Sequence, residues 1–317
     1  MSPKRMAIPA VLIVLYGLVP LALGDNFYLY SLLIAALVIA AVATAWSLLS
    51  NLGGMMSFGH AAFFGVGAYT SALLSMQWHL PVLLSMVIAA ACTALISLAM
   101  LPALRLSGAH FALAILAYAH IFRIIATEWR SLTGGAGGLT AIPDLPVILG
   151  VDLSSNTGSY LFILTLVLLF VIAYHLISKS HYGMALKAMH ESEAATRVVG
   201  VNSNWLKTLM LLVSAFMTGL AGAFNAHHIN FLEPSYAFDS SWTLIPIIAA
   251  ICGGYRSITG PLVGAVVIYL LDQLIFKNLI PTGHQIILGA VLVIMIIYRP
   301  AGLVSLATFW KREPRHA

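Results

Sequence analysis

Long runs of apolar residues recur from one end of the chain to the other, separated by short polar segments. Crossing the ~30 Å hydrocarbon core of a bilayer takes about 20 helical residues, so these runs predict transmembrane helices. The predicted spans are 8–24, 28–50, 54–76, 81–103, 108–127, 159–178, 207–228, 241–253, 258–276 and 284–298. The short eighth run is either a broken element or continuous with its neighbours. The pattern predicts an all-α integral membrane protein, a polytopic helical bundle of about ten spans that forms one domain over residues 1–317.

The third run, GGMMSFGHAAFFGVGAYTSALL at residues 53–74, is interrupted by five glycines, two serines and a histidine. Hydrocarbon requires every backbone N–H and C=O to be paired internally, so such breaks persist only beside other helices or a wet cavity. We therefore predict glycine-broken helices near the middle of the membrane and a transport pathway along this run. The candidate pathway residues are Ser57, Gly59, His60, Phe63, Phe64 and Gly65.

These side chains have structural as well as functional interpretations. His60 either satisfies backbone groups that the helix break frees or contacts the transported substrate. Ser57 and the amides after Gly59 form a half-helix N-terminus that suits a carboxylate. Phe63 and Phe64 either face an aliphatic side chain or pack in the core.

A second glycine-rich segment, GGYRS at residues 253–257, repeats the form of GGMMS at residues 53–57. Internal duplication is common in transporters, where broken elements pair near the substrate path. Coincidence between two glycine-rich turns is the alternative.

Composition and charge agree with a membrane protein. Hydrophobic residues make up 61% of the chain and charged residues 8%, and the mean hydropathy is +0.99, whereas a soluble domain carries far more charge. If the N-terminus is cytoplasmic, the inner loops hold Lys4, Arg5, Arg105, Lys179, Lys187, Arg197, Lys207, Arg256, Arg299, Lys311, Arg312 and Arg315. The outer loops then hold only Arg130 and Lys277, and Arg123 lies near the end of a span. This bias places both termini in the cytoplasm and explains the +5 charge without a nucleic-acid partner.

The first span also resembles a secretory signal, since Lys4 and Arg5 precede an apolar run that ends in Ala22 and Gly24. We interpret it as a retained helix. Cleavage is the alternative, and it would leave nine spans and an outer N-terminus.

The outer loop, residues 128–158, contains TGGAGGLTAIPDLP, in which glycines and prolines predict the absence of helix. Its glycines at 134, 135, 137 and 138 permit close backbone approach by a partner or ligand, and a plain connector is the alternative.

The inner loop, residues 179–207, has helical periodicity. Its predicted apolar face consists of Met184, Ala188, Ala195, Val198 and Val199. We expect Gly200 to end that helix and Asn202–Asn204 to cap the next one. The short amphipathic helix that ends at Gly200 either transmits movement from a cytoplasmic partner or lies on lipid headgroups.

Several chemistries have no sequence support. The chain has no Walker A sequence, no HExxH and no paired carboxylates, and Cys92 and Cys252 both lie inside spans. We therefore expect no catalytic residues, no metal and no cofactor. An ion-coupled secondary transporter would need a carboxylate at a helix break, but Asp272 is remote in sequence from both glycine-broken elements. A membrane enzyme is the weaker rival.

Several segments in a fixed order resemble the permease subunits of bacterial branched-chain amino-acid ABC importers. They are GGMMSFGHAAFFGVGAYTSALL, TGGAGGLTAIP, EAATRVVGVN, SAFMTGLAGAFNAHHINFLEPSYAF, GGYRSITGPLVGA and YRPAGLV. The resemblance runs from about Asn51 to Leu303 and is strongest to the M-type subunit of the leucine, isoleucine and valine system.

This resemblance implies an inner-membrane permease that works with a second, different permease subunit, two cytoplasmic ATPases and a periplasmic binding protein. It implies a coupling helix that docks on the ATPase. The matching residues are Glu193, Ala194, Ala195 and Gly200, with one residue more than the family's usual spacing, and Lys187 and Glu191 precede them in the same loop. The implied cargo is a branched-chain or related amino acid, with urea and short amides as alternatives.

Overall fold

The computed structural model describes residues 14–24, 26–106, 108–148, 150–198, 200–281, 283–299 and 302–304. Several positions used in the topology prediction lie outside these ranges: the start of the first span, Lys4, Arg5, Lys311, Arg312 and Arg315. Val199 and the side chains of Ala194, Ala195 and Arg197 also lie outside the described part.

The described elements are almost entirely helical. In the first half they are a π-helical turn (Val14–Leu18), α1 (Val19–Leu23), α2 (Phe27–Gly53), α3 (His60–Gln77), α4 (Val82–Ser97) with a 3-10 extension (Leu98–Arg105), α5 (Gly108–Glu128), α6 (Arg130–Thr133), a 3-10 turn (Gly135–Gly137), β1 (Leu139–Thr140), β2 (Val147–Ile148) and β3 (Val151–Asp152). In the second half they are α7 (Asn156–Lys179), α8 (His181–Glu191), α9 (Glu193–Val198), α10 (Ser203–Ile229), β4 (Phe231–Leu232), α11 (Pro234–Ala237), α12 (Ser241–Gly253), α13 (Gly260–Leu271), a π-helix (Asp272–Phe276), α14 (Lys277–Leu279) and α15 (His284–Tyr298).

Polar side chains begin several of the helices, because a side-chain oxygen there accepts a hydrogen bond from an otherwise unpaired backbone N–H. Asn202 accepts a bond from the amide of Trp205 at the start of α10, which confirms the predicted cap. The same arrangement starts α2, α7 and α8, where the capping residues are Asn26, Ser155 and Ser180.

Helix α2 is the centre of the bundle. Of its most apolar stretch, 89% is buried, against 22% for Gly260–Leu279. Helices α7, α10, α12 and α13 all pack against it. Because hydrocarbon surrounds a membrane protein, the outer helices expose apolar side chains such as Leu113 and Ile124. The chain is a helical membrane protein whose core is built around α2.

Seven helices among the described residues are long and apolar enough to cross a membrane, fewer than the ten spans predicted. They are Phe27–Gly53, Val82–Arg105, Gly108–Glu128, Asn156–Lys179, Ser203–Ile229, Pro234–Gly253 and Gly260–Leu279. The predicted span 54–76 differs because residues 54–59 are not helical and α3 begins only at His60. The last predicted span agrees with α15, which has only 15 residues.

The inner loop differs from its prediction in two ways. Ser192 divides the expected single helix into α8 and α9. The buried side of α8 consists of Gly183, Leu186 and Met189. The predicted apolar face is therefore wrong, because Met184, Ala188 and Val198 are exposed.

The outer loop contains more helix than expected, namely the short helix α6 (Arg130–Thr133) and the 3-10 turn Gly135–Gly137. After it, β1 pairs antiparallel with β4, with Leu139 opposite Leu232. Strands β2 and β3 form a separate two-stranded hairpin. The loop is thus attached to the segment that follows α10.

Candidate functional site

The non-helical segment 54–59 folds back beside α2. Gly54 ends the helix in the left-handed conformation, at φ +67°. The indole Nε1 of Trp46 then donates a 2.9 Å hydrogen bond to the carbonyl oxygen of Ser57. Trp46 lies two turns before Gly53, which is about 10 Å along the helix axis at 1.5 Å per residue. Helix α3 therefore starts beside the interior of α2 and not at its end.

His60, the first residue of α3, is completely buried. Its Nε2 lies 2.9 Å from the hydroxyl of Ser214, and that hydroxyl donates to the carbonyl of Ala45. Because the serine proton is committed to Ala45, Nε2 must be the donor and carries the imidazole proton. Nδ1 is then an acceptor, and it has no hydrogen-bond partner within the described residues. The imidazole joins α2, α3 and α10 through one polar chain.

Two backbone donors at the start of α3 are already engaged by side-chain hydroxyls. The amide of Gly59 donates to the hydroxyl of Ser57 at 3.2 Å, and the amide of Ala61 donates to the hydroxyl of Thr243 at 2.9 Å. Ser57 itself is completely buried. A carboxylate at this helix start would have to displace protein acceptors.

The aromatic and glycine candidates lie in packed surroundings. Phe64 stacks on Trp242 with ring centroids 3.9 Å apart, and Phe63 meets the ring of His60 edge-on. A Cβ atom at Gly65 would overlap the ring of Phe238, and one at Gly59 would overlap Ile115. Both glycines allow a close approach that no larger residue permits.

Two cavities adjoin segment 54–59. The inner cavity, about 830 Å³, is bounded by residues 53–56, the first half of α5, the last residues of α8 and the starts of α9 and α10. The lateral cavity, about 290 Å³, lies between the start of α3, α5 and the start of α12. Phe58 and Leu116 line both, so the two cavities are neighbours along α5.

A third cavity, about 640 Å³, is lined by Trp242, the residue that stacks on Phe64. We call it the outer cavity, because it borders the 231–240 segment to which the predicted outer loop attaches. Trp242 lines this cavity, whereas the next residue, Thr243, lines the lateral one. The start of α12 therefore separates the two.

The predicted coupling residues lie at the same end as the inner cavity. Glu193 forms an ion pair with Lys207 of α10, with Nζ 2.9 Å from Oε2, and both line the inner cavity. Lys187 and Glu191 are exposed, and Gly200 takes the left-handed conformation at φ +86°. At the end of α8, the imidazole of His190 lies where a side chain on Gly54 would be.

Three of the four predicted outer-loop glycines have positive φ, namely Gly134, Gly135 and Gly138. A Cβ atom at Gly138 would overlap the backbone of Leu232 and Glu233, so the close approach seen here is internal. A Cβ atom at Gly137 would meet no atom within 4 Å. The side-chain amide of Asn230 also donates to the carbonyl of Ile142, at 2.9 Å.

Sequence reasoning missed several residues that hold this region. Trp46, Ser214 and Thr243 supply its side-chain hydrogen bonds, and Trp242 supplies its largest aromatic contact. The available signal was the presence of single polar or indole groups inside apolar runs. Without the topology, nothing in the sequence joins them to residues 54–60.

The buried carboxylate of Asp272 has a partner of its own. His284 Nδ1 lies 2.8 Å from Asp272 Oδ1, and this contact joins the π-helix to α15. Among the described residues, no three His, Cys, Asp or Glu side chains come together as metal ligands.

Residues 28–296 match the protein family described as branched-chain amino acid transport system, permease component. The chain belongs to this family. Its relatives include the high-affinity branched-chain amino acid transport system permease protein LivM of Salmonella typhimurium, 27% identical over 81% of this chain and 65% of LivM. They also include the high-affinity branched-chain amino acid transport system permease protein BraD of Pseudomonas aeruginosa, 23% identical over 84% of the chain and 91% of BraD.

The ribose import permease protein RbsC of Haemophilus influenzae is 24% identical over 55% of the chain and 54% of its own length. The chain thus spans about 65% of the LivM relatives and about half of the ribose permease. No solved structure matches the chain.

Proposed function

We propose that the chain is the transmembrane permease subunit of an ABC importer and forms the translocation path for branched-chain or related amino acids across a bacterial inner membrane. The observation that carries this proposal is the family match, which extends over nearly the whole described bundle, residues 28–296. In this proposal residues 1–317 are one permease domain, and ATP hydrolysis belongs to separate subunits.

For the membrane topology we propose ten spans. Besides the seven long apolar helices, these are the first predicted span, α3 and α15. We count α3 among these spans as a glycine-broken helix. The hydrogen bond between Trp46 and Ser57 supports this interpretation. Trp46 of α2 donates to the carbonyl of Ser57, and Thr243 of α12 accepts from the amide of Ala61, so side chains of two other helices pair with the backbone here, as an interruption inside hydrocarbon requires.

The proposed path follows α5 past segment 54–59. The inner and lateral cavities share Phe58 and Leu116, and this adjacency supports a continuous route. In this arrangement the other pathway residues, including Ser57, His60 and Phe64, form the fixed wall that positions Phe58. Gly59 and Gly65 let that wall pack closely against α5 and Phe238.

We infer that α8 and α9 form the surface on which a cytoplasmic ATPase docks. Met184 and Val198 are apolar and exposed there, which suits a protein partner. Lys187, Glu191, Glu193, Ala194, Ala195 and Gly200 are the proposed coupling residues. Contact between His190 and Gly54 gives movement of α8 a direct route to segment 54–59.

The proposed orientation has both termini and loop 179–207 in the cytoplasm, and loop 128–158 in the periplasm. The distribution of Lys and Arg supports it. The outer loop, with its glycines at 134, 135, 137 and 138, would then receive the periplasmic binding protein. A second, different permease and two ATPases complete the assembly.

The decisive test is purification of the tagged chain in mild detergent, followed by reconstitution. We expect an ATPase pair and a second permease to co-purify, and labelled leucine to enter proteoliposomes only with ATP and the binding protein. Labelled urea and acetamide distinguish the alternative cargo. Uptake driven by a proton or sodium gradient without an ATPase would overturn the proposal in favour of a secondary transporter.

A further inference from the structure

The outer cavity carries an unbalanced negative charge. Glu233 and Asp239 line it, on either side of the short helix α11, whereas no Lys or Arg does so among the described residues. Glu233 Oε1 accepts a bond from the Ser235 hydroxyl, and Asp239 Oδ1 accepts one from the Ser241 amide. Neither carboxylate has a salt-bridge partner in the described part of the chain. Two such carboxylates favour a positively charged occupant.

The same cavity contains an unused amide donor. Asn225 is 5% exposed and lines the cavity. Its Oδ1 accepts a 3.0 Å hydrogen bond from the hydroxyl of Tyr236, which leaves Nδ2 as the group without a protein acceptor in the described structure. An amide N–H that faces a cavity and has no protein acceptor can donate to an occupant, so this position favours an occupant with an anionic or carbonyl oxygen.

The remaining walls are apolar and aromatic, with Ile34, Ile245 and Trp242 among them. At about 640 Å³ the cavity exceeds the size of a single amino acid and leaves room for water. We propose that the outer cavity binds a zwitterion whose primary ammonium group lies at Glu233 and Asp239 and whose anionic oxygens lie at Asn225. The proposal rests on the permease function for its choice of a free amino acid as the occupant.

A phosphatidylethanolamine headgroup presents the same chemistry, with an ammonium group beside anionic oxygens. The test therefore places the purified complex in nanodiscs made only of phosphatidylglycerol, and in nanodiscs that also contain phosphatidylethanolamine. The soluble probes are leucine, leucinamide, which keeps the ammonium group, and 4-methylpentanoate and 4-methylpentanamide, which lack it. Calorimetry measures binding of the probes, and native mass spectrometry measures retained lipid.

For a free amino acid, leucine and leucinamide bind in phosphatidylglycerol nanodiscs and the two probes without ammonium do not. Glu233→Gln and Asp239→Asn keep the local hydrogen bonds and weaken the binding of leucine about tenfold or more. Asn225→Asp keeps the acceptor for Tyr236 but repels the carboxylate of leucine. It therefore weakens the binding of leucine more than the binding of leucinamide. Asn278→Asp is the matched control, since Asn278 is exposed and is not among the lining residues.

For a lipid occupant, leucine binding is absent and retained phosphatidylethanolamine is lost in Glu233→Gln. The proposal is overturned when neither ligand binds, or when the cavity variants bind like the wild type. Leucine uptake by the same reconstituted complex tests the permease function separately from the binding site. Wild-type uptake, together with leucine binding and lipid retention that all three variants leave unchanged, rejects this site and leaves the permease function intact.

Discussion

The indole of Trp46 donates a hydrogen bond to the carbonyl of Ser57, and the next residue of α2 does the same for the second glycine-rich segment. The Ser47 hydroxyl donates a 2.7 Å bond to the carbonyl of Tyr255. Gly53–Gly54 end α2 and Gly253–Gly254 end α12, with Gly54 and Gly254 both at positive φ. Helix α2 thus holds both segments with adjacent side chains.

Replacing Trp46 by Phe should destabilise the fold, because it leaves the buried carbonyl of Ser57 without its donor. The expected loss is about 1–3 kcal/mol, seen as a lower Tm in detergent. Trp78→Phe is the control, since Trp78 is 71% exposed. Equal Tm values for the two variants would show that the bond contributes nothing.

Adding a methyl group at Gly67 should loosen the packing of α3 on α10. A Cβ atom there would overlap the backbone of Gly219, and rigid backbone cannot move aside as a flexible side chain can. We expect Gly67→Ala to cost about 1–3 kcal/mol in thermal unfolding. Gly289→Ala in α15, where no atom lies within 4 Å, should leave Tm unchanged or slightly raised. The packing argument fails if both variants behave alike.

The helical class and most helix positions could be predicted from apolar run length alone. Runs 241–253 and 284–298 coincide with α12 and α15, because polar or glycine residues bound both. The start of α3 could not be located from the sequence, since Met55, Met56 and Phe58 continue the apolar run up to His60. What keeps them out of a helix is tertiary: a hydrogen bond from Trp46 and the fold-back beside α2.

The inner loop shows a second limit of sequence periodicity. Met184 and Val198 lie on a helical repeat, but periodicity identifies a stripe without saying what covers it. The side of α8 that packs on the bundle is instead Gly183, Leu186 and Met189, fixed by the way α8 leaves α7. The candidate site has the same limit, because Ser214 and Thr243 reach it from helices distant in sequence.

Substitution of His60 separates its two interpretations. Because its imidazole joins Ser214 to the start of α3 in a fully buried place, we expect His60→Ala to lower stability by about 2–4 kcal/mol. His60→Gln retains an amide donor and should recover part of the Tm. Normal Tm with weakened leucine uptake for His60→Ala would instead assign His60 to substrate contact.

Cysteine labelling tests the orientation in a background where Cys92 and Cys252 are replaced by serine. Ser192 and Ala141 are both exposed and lie in the loops at 179–207 and 128–158. An impermeant maleimide should label Ser192→Cys only in inverted vesicles, and Ala141→Cys in intact cells. The reverse pattern would invert the topology.

A charge swap tests how Glu193 contributes to coupling. The pair with Lys207 is partly exposed, with side chains 36% and 15% accessible, so its stability contribution is small, about 1 kcal/mol or less. Its position matters more, because it fixes the start of α9 against α10 at the rim of the inner cavity. Glu193→Lys sets two cations side by side and should displace α9, with loss of uptake and of bound ATPase. Glu193→Lys combined with Lys207→Glu restores the pair, and we expect it to restore both. If the double variant recovers Tm but not ATPase association, Glu193 acts by touching the ATPase directly and not by positioning α9.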